Sequence, residues 1–127
     1  MFTSYYAKHG TDRNAVAISA KPPPWYVGVT YPLLAPSWDM IKGVKSGGMS
    51  EAEYTAQYLQ LLKKRGASPY RTMSDLGENA ILLCYEKPED FCHRHIVAHW
   101  IESELGIVIP EISLIKQQTI VDELFTF

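Results

Sequence analysis

The sequence predicts an α/β protein, a single domain built on a mostly parallel, Rossmann-like sheet flanked by helices on both faces. Three observations carry this reading. Residues 80–85, Ala-Ile-Leu-Leu-Cys-Tyr, are continuously apolar without alternation, the pattern of a strand covered on both faces. A polar loop broken by Pro88 follows, and then a helical pattern in which Ile96, Val97, Trp100, Ile101 and Leu105 share a face and Gly106 supplies the stop. Residues 50–66 form a second amphipathic helix, so strand-loop-helix units account for much of the chain.

Taken in order, residues 2–7 and 15–20 are rich in aromatic and β-branched residues and read as short strands. The polar turn between them makes them an early β pair or two sheet neighbours. Three successive prolines, Pro22 to Pro24, fix φ and lack amide donors, so residues 21–28 run as a stiff extended loop carrying Trp25 and Tyr26. Such a cluster either covers a core edge or forms a stacking wall for a ligand. Ser37 caps a short helix bearing Trp38, Met40 and Ile41, and a mildly basic, glycine-containing loop follows it. Ser50 and Glu53 make a capping box; Tyr54, Tyr58, Leu61 and Leu62 then recur at helical spacing. The run Lys63 to Arg65 complements the helix dipole or offers a small nucleic-acid patch. Residues 67–80 read as a short helix or turn bracketed by Pro69 and Gly77. Asp90 is placed to cap the helix after the central strand, and a further short strand is expected near Val108 to Ser113. The tail from Gln117 fits a strand or a helix, and its aromatic end suits packing on a partner in a homodimer.

The chain has 127 residues and a formal net charge of −2, enough for one core and without the charge excess of a non-specific nucleic-acid coater. No apolar run nears the roughly 20 residues a membrane helix needs, and the first ten residues lack a signal-peptide layout, so a cytoplasmic protein without membrane contact is expected. Two cysteines, Cys84 and Cys92, are too few for a disulfide scaffold and read as free thiols or metal ligands.

Residues 82–95, Leu-Leu-Cys-Tyr-Glu-Lys-Pro-Glu-Asp-Phe-Cys-His-Arg-His, concentrate the chemistry. Ligands collect at the carboxyl ends of strands in open α/β sheets, and helix N-termini offer unpaired amides and partial positive charge. Cys92, His93 and Arg94 occupy that position. A thiol there becomes a reactive thiolate or an anion contact, Arg94 can hold a phosphate in a fork, and Glu86 or His93 can move a proton. Lys21, Trp25 and Tyr26 are assigned to the opposite wall. The ligand expected is a phosphorylated small molecule, a nucleotide or an extruded nucleic-acid residue, handled by a cysteine-dependent transferase or hydrolase. The alternative is a non-catalytic module in which Arg94 pairs with Glu86 or Asp90 as a clasp, Cys92 packs, and a partner docks on the proline-rich segment and the Lys63 to Arg65 run. Cys84, inside the strand, reads as packing. Cys92, His95 and His99 share a helical face and could hold zinc, but the pair lacks the glutamate after the first histidine that marks a metallohydrolase helix. No metal and no cofactor is expected.

These residues also carry a resemblance. A leucine-leucine-cysteine-x-glutamate strand leading into a cysteine-histidine-arginine triplet, here Cys84, Glu86, Cys92, His93 and Arg94, resembles the signature of the bacterial, archaeal and phage family called domain of unknown function 488. The segments Ala15 to Ser19, Pro22 to Trp25 and Leu34 to Leu62 are similar to its smaller members, so the likeness extends through residue 105. The resemblance implies an α/β fold and a cytosolic setting, and it implies no particular reaction.

Overall fold

The computed structural model describes residues 1–115. Four parallel strands, β1 (Phe2–Tyr5), β2 (Ala15–Ala17), β3 (Val29–Thr30) and β4 (Ile81–Cys84), lie in the order β1-β4-β2-β3. Five helices accompany them: α1 (Tyr6–His9), α2 (Trp38–Ser46), α3 (Glu51–Lys64), α4 (Pro69–Leu76) and α5 (His93–Leu105), with single 3-10 turns at Pro32–Leu34 and Ile112–Leu114. This is the parallel α/β architecture that the sequence predicts.

The uninterrupted apolar run of β4 is explained by its position. It pairs with β1 on one side and β2 on the other, and all four of its residues are buried. Successive side chains point to opposite faces. Leu82, with Val16 of β2, enters a core completed by Tyr58 and Leu62 of α3 and Val97 and Ile101 of α5. Ile81 and Leu83 enter a second cluster with Tyr6 of α1, Tyr26 and Ala17. Burying each such aliphatic side chain contributes about 1.5–3 kcal/mol.

The expected helix signals operate locally. The Ser37 side chain accepts the Met40 amide, the Ser50 side chain accepts the Glu53 amide, and Ser68 does the same for Arg71 at the start of α4. Helix α3 buries Tyr54, Tyr58 and Leu62, and the Tyr58 hydroxyl donates to the Leu34 carbonyl at 2.5 Å. Gly106 ends α5 at φ +66°, a conformation that other residues adopt only at a cost.

Several expectations are corrected. β1 and β2 are not neighbours, because β4 lies between them. A tight hairpin would have made them antiparallel; the helical turn of α1 instead lets the chain cross over and return parallel. Asp90 does not cap α5. Its amide closes a turn on the Lys87 carbonyl at 3.0 Å, and the extended residue before the helix is Cys92 (φ −154°). The strand expected near Val108 to Ser113 reduces to a single parallel bridge, Thr3 to Glu111. Two-residue β3 follows the proline loop and is exposed, too short for any periodicity to reveal. The Arg65 guanidinium donates to the carbonyls of Leu33 and Ala35, at 3.0 and 2.6 Å, so the basic end of α3 serves partly to hold the preceding segment. The tail from Gln117 lies outside the described residues. Among those residues no helix is long and apolar enough to cross a membrane.

Candidate functional site

The carboxyl ends of β2 and β4 open into a pocket of about 120 Å³. Ser19, Ala20 and Lys21 come from the segment after β2, and Cys84, Tyr85 and Glu86 from the end of β4. Trp38, Ile41, Val44 and Lys45 of α2 close the side, with Tyr54 and Phe91 as further aromatic walls and Cys92 and His93 at the floor. Trp38, Ile41 and Lys45 stand at i, i+3 and i+7, one stripe of α2. Trp38 is 55% exposed because the face it covers is this opening rather than the core. Tyr54 and Phe91 meet edge to face, 5.2 Å between ring centroids. The two strand-end segments are tied together by the Tyr85 hydroxyl, which donates to the Lys21 carbonyl at 2.6 Å.

The expected site residues divide into two groups. Glu86, Cys92, His93 and Lys21 all line the pocket. Trp25 and Tyr26 are not among its lining residues. Trp25 packs edge-on against Tyr6, 6.5 Å between centroids, and over Gly10, where an added Cβ would meet its ring at 2.4 Å. Tyr26 is buried and donates to the Val29 carbonyl at 2.5 Å, which fixes the turn into β3. These two cover a core edge. Arg94 also stays off the pocket lining: it is 0% exposed, and Glu111 grips it at 3.0 Å on Nε and 3.2 Å on Nη2. Its Nη1 donates to the Cys84 sulfur at 3.0 Å. The acid paired with Arg94 is thus Glu111, not Glu86 or Asp90. Glu111 further accepts from the hydroxyls of Thr3, at 2.7 Å, and Ser113. Burial raises the Glu111 carboxyl, but the hydrogen bonds from Arg94, Ser113 and Thr3 outweigh it and hold the group below its ordinary value.

Cys84 and Cys92 are not free thiols in this structure: their sulfurs are joined in a disulfide, with both residues buried. His93 lies beside them, buried but for an exposure of 5%. Its Nε2 is 2.7 Å from the Ile18 carbonyl, and because a carbonyl can only accept, Nε2 carries the proton. Nδ1 therefore presents a lone pair, 3.8 Å from the Cys92 sulfur. Burial pushes His93 down to about 4; the Ile18 bond opposes this, and the charges of Arg94 and His95 add to it. His93 is consequently neutral at physiological pH. The alternative zinc set of Cys92, His95 and His99 does not converge. The His99 side chain is 83% exposed and turned to Glu102 at 3.4 Å. Among the described residues the one group of metal-competent side chains is instead Cys84, Cys92 and His93, whose donor atoms lie within 4.8 Å of one another.

Sequence reasoning missed Glu111, Trp38 as a pocket wall, and Lys45. A signal for Glu111 existed: it is the one acid in the apolar stretch Ile107 to Ile112, and an acid so placed needs a buried cation.

Fold and pocket together define a parallel α/β protein with a cysteine- and histidine-floored cleft at its strand ends. A family model described as "Active DUF488-N3 subclade" matches residues 5–105, and the chain belongs to the DUF488 family. No curated protein and no solved structure matches the chain.

Proposed function

We propose that this chain binds a phosphorylated, ring-containing small molecule, a mononucleotide or an extruded nucleic-acid residue, in the pocket beyond β2 and β4. The observation that carries the reading is the pocket itself: aromatic and aliphatic walls from Trp38, Tyr54, Phe91 and Ile41, with two exposed lysines, Lys21 and Lys45, at its margin. Size narrows the proposal. Drug-sized ligands occupy roughly 300–1,000 Å³, so a cavity of about 120 Å³ takes one ring while the rest of the ligand lies in the open mouth. A base inserted between the aromatic walls leaves its phosphate to the lysines and to the first amides of α5, where Cys92 makes no side-chain cap. Ligand placement beyond the carboxyl ends of parallel strands is the Rossmann-like feature of this reading. Cys92, His93 and Glu86 are the groups that could act on the ligand once the cysteine pair is reduced.

For Arg94 the clasp reading is favoured by a specific observation. Its charge is buried against Glu111, tying the start of α5 to the segment beside β1. The anion contact of the pocket therefore falls to Lys21 and Lys45. Thermal shift with adenosine and guanosine monophosphates tests it: stabilisation that Trp38→Ala and the Lys21→Ala/Lys45→Ala double variant each remove supports the pocket. No shift with any nucleotide in the folded parent contradicts it.

A further inference from the structure

We propose that Cys84, Cys92 and His93, in the reduced chain, form a binding site for a thiophilic divalent cation, zinc above all, with its open coordination position facing the pocket. The proposal does not rest on the nucleotide reading, and a cation held here takes the place of the nucleophile and proton-carrier roles given above to Cys92 and His93. It rests on the convergence of three donors from adjacent pieces of structure: the last residue of β4, the residue preceding α5 and the first residue of α5.

The details fit a metal centre. Two sulfurs and one imidazole are the donor types zinc prefers, and three protein ligands with a fourth position left open mark catalytic rather than structural zinc sites. The histidine is already oriented as a ligand would be. Its Nε2 proton is held by the Ile18 carbonyl, leaving Nδ1 as the donor on the side of the Cys92 sulfur. Arg94 donates to the Cys84 sulfur, an outer hydrogen bond of the kind that supports a ligating thiolate. Charge also closes: a divalent cation balances two thiolates, while Arg94 is balanced by Glu111. A buried site with no net charge avoids the desolvation cost that two unpaired thiolates would incur. The open position faces the cavity because all three donors line its floor.

Entry of the metal requires the disulfide to open. A thiol or phosphine reductant supplies two electrons, and two protons complete two thiols; binding of the cation then releases those two protons as both sulfurs become thiolates. Oxidised protein therefore binds no metal at this site.

The test uses the full chain, reduced with a phosphine under anaerobic conditions and titrated with cobalt(II), then with zinc. The result expected is a single cobalt ion per chain with the thiolate charge-transfer and tetrahedral d–d absorption of a sulfur-rich site, displaced by zinc. Cys84→Ser and Cys92→Ser should each abolish the charge-transfer signal, His93→Gln should weaken binding at least about tenfold, and His99→Ala should leave it unchanged. Should a cysteine variant fail to fold, alkylation of the unaltered chain decides: zinc must protect both thiols, and a chelator must expose them. Reduced, folded parent protein that shows no cobalt-thiolate signal and no zinc protection overturns the proposal, as does a signal that survives loss of either cysteine.

Discussion

Two regions of positive charge flank the same cysteine pair, and they are built in opposite ways. Arg94 is wholly buried, with Glu111 on one side and the Cys84 sulfur on the other. Lys21 and Lys45 stand in water at the pocket margin. The difference decides what each can do. A guanidinium enclosed with its counter-ion stabilises the joint between α5 and the segment beside β1, and recruiting it for a ligand would cost its buried pairing. Exposed ammonium groups contribute little to folding and remain available to a phosphate.

The sharpest way to break this contrast is to remove the partner of the buried charge. Glu111→Ala should lower stability by about 3–5 kcal/mol, because Arg94 is left buried and uncompensated; urea denaturation reads this directly. A loss below about 1 kcal/mol would mean that Arg94 reaches solvent and that the two regions are alike. Acid should act on the same pair with smaller effect. The Glu111 carboxyl is held below its ordinary value in the folded chain, so its contribution is fully present above the unfolded value of about 4.3 and is lost as pH falls through the lowered folded value. Parent and Glu111→Gln stabilities, compared across that window, should show the acid-dependent component only in the parent.

Pocket substitutions should do less to the fold. Trp38→Ala removes a half-exposed side chain and should cost about 1 kcal/mol or less, while removing most of any nucleotide-induced thermal shift. Smallest of all in stability, Lys21→Ala/Lys45→Ala should stay within about 0.5 kcal/mol of the parent. A large loss in that double variant would show the lysines to be structural and would erase the distinction.

How far the sequence revealed these regions follows from the range of the interactions involved. Helices α3 and α5 and the central place of β4 are written in local periodicity and in an unbroken apolar run, and both could be read. The clustering of Lys21, Glu86, Cys92 and His93 was legible for a similar reason: strand-end residues of a parallel sheet gather at one edge. Sheet order was not, since β1 and β2 are close in sequence and only the distant β4 separates them. Nor was the fate of Arg94. Its partner lies 17 residues away beyond α5, whereas Glu86 and Asp90 were nearer candidates in sequence. Trp25 and Tyr26 carried an ambiguous signal, because an aromatic beside prolines covers a core edge or a ligand by the same chemistry, and contacts with Tyr6 and Val29 decide for the former. The cysteines were hardest. Spacing alone gave no reason for Cys84 at a strand end and Cys92 before a helix to meet across an intervening turn.

The central claim, that anion binding belongs to the exposed lysines and not to Arg94, is tested most directly by isothermal titration of adenosine and guanosine monophosphates into the parent and the Lys21→Ala/Lys45→Ala variant at low ionic strength. Binding of at least one of them to the parent, weakened tenfold or more in the variant while its melting temperature is unchanged, is the result predicted; at about 1.4 kcal/mol per tenfold this matches loss of a direct charge contact. Equal affinity in the two proteins, or no binding to either, would contradict it.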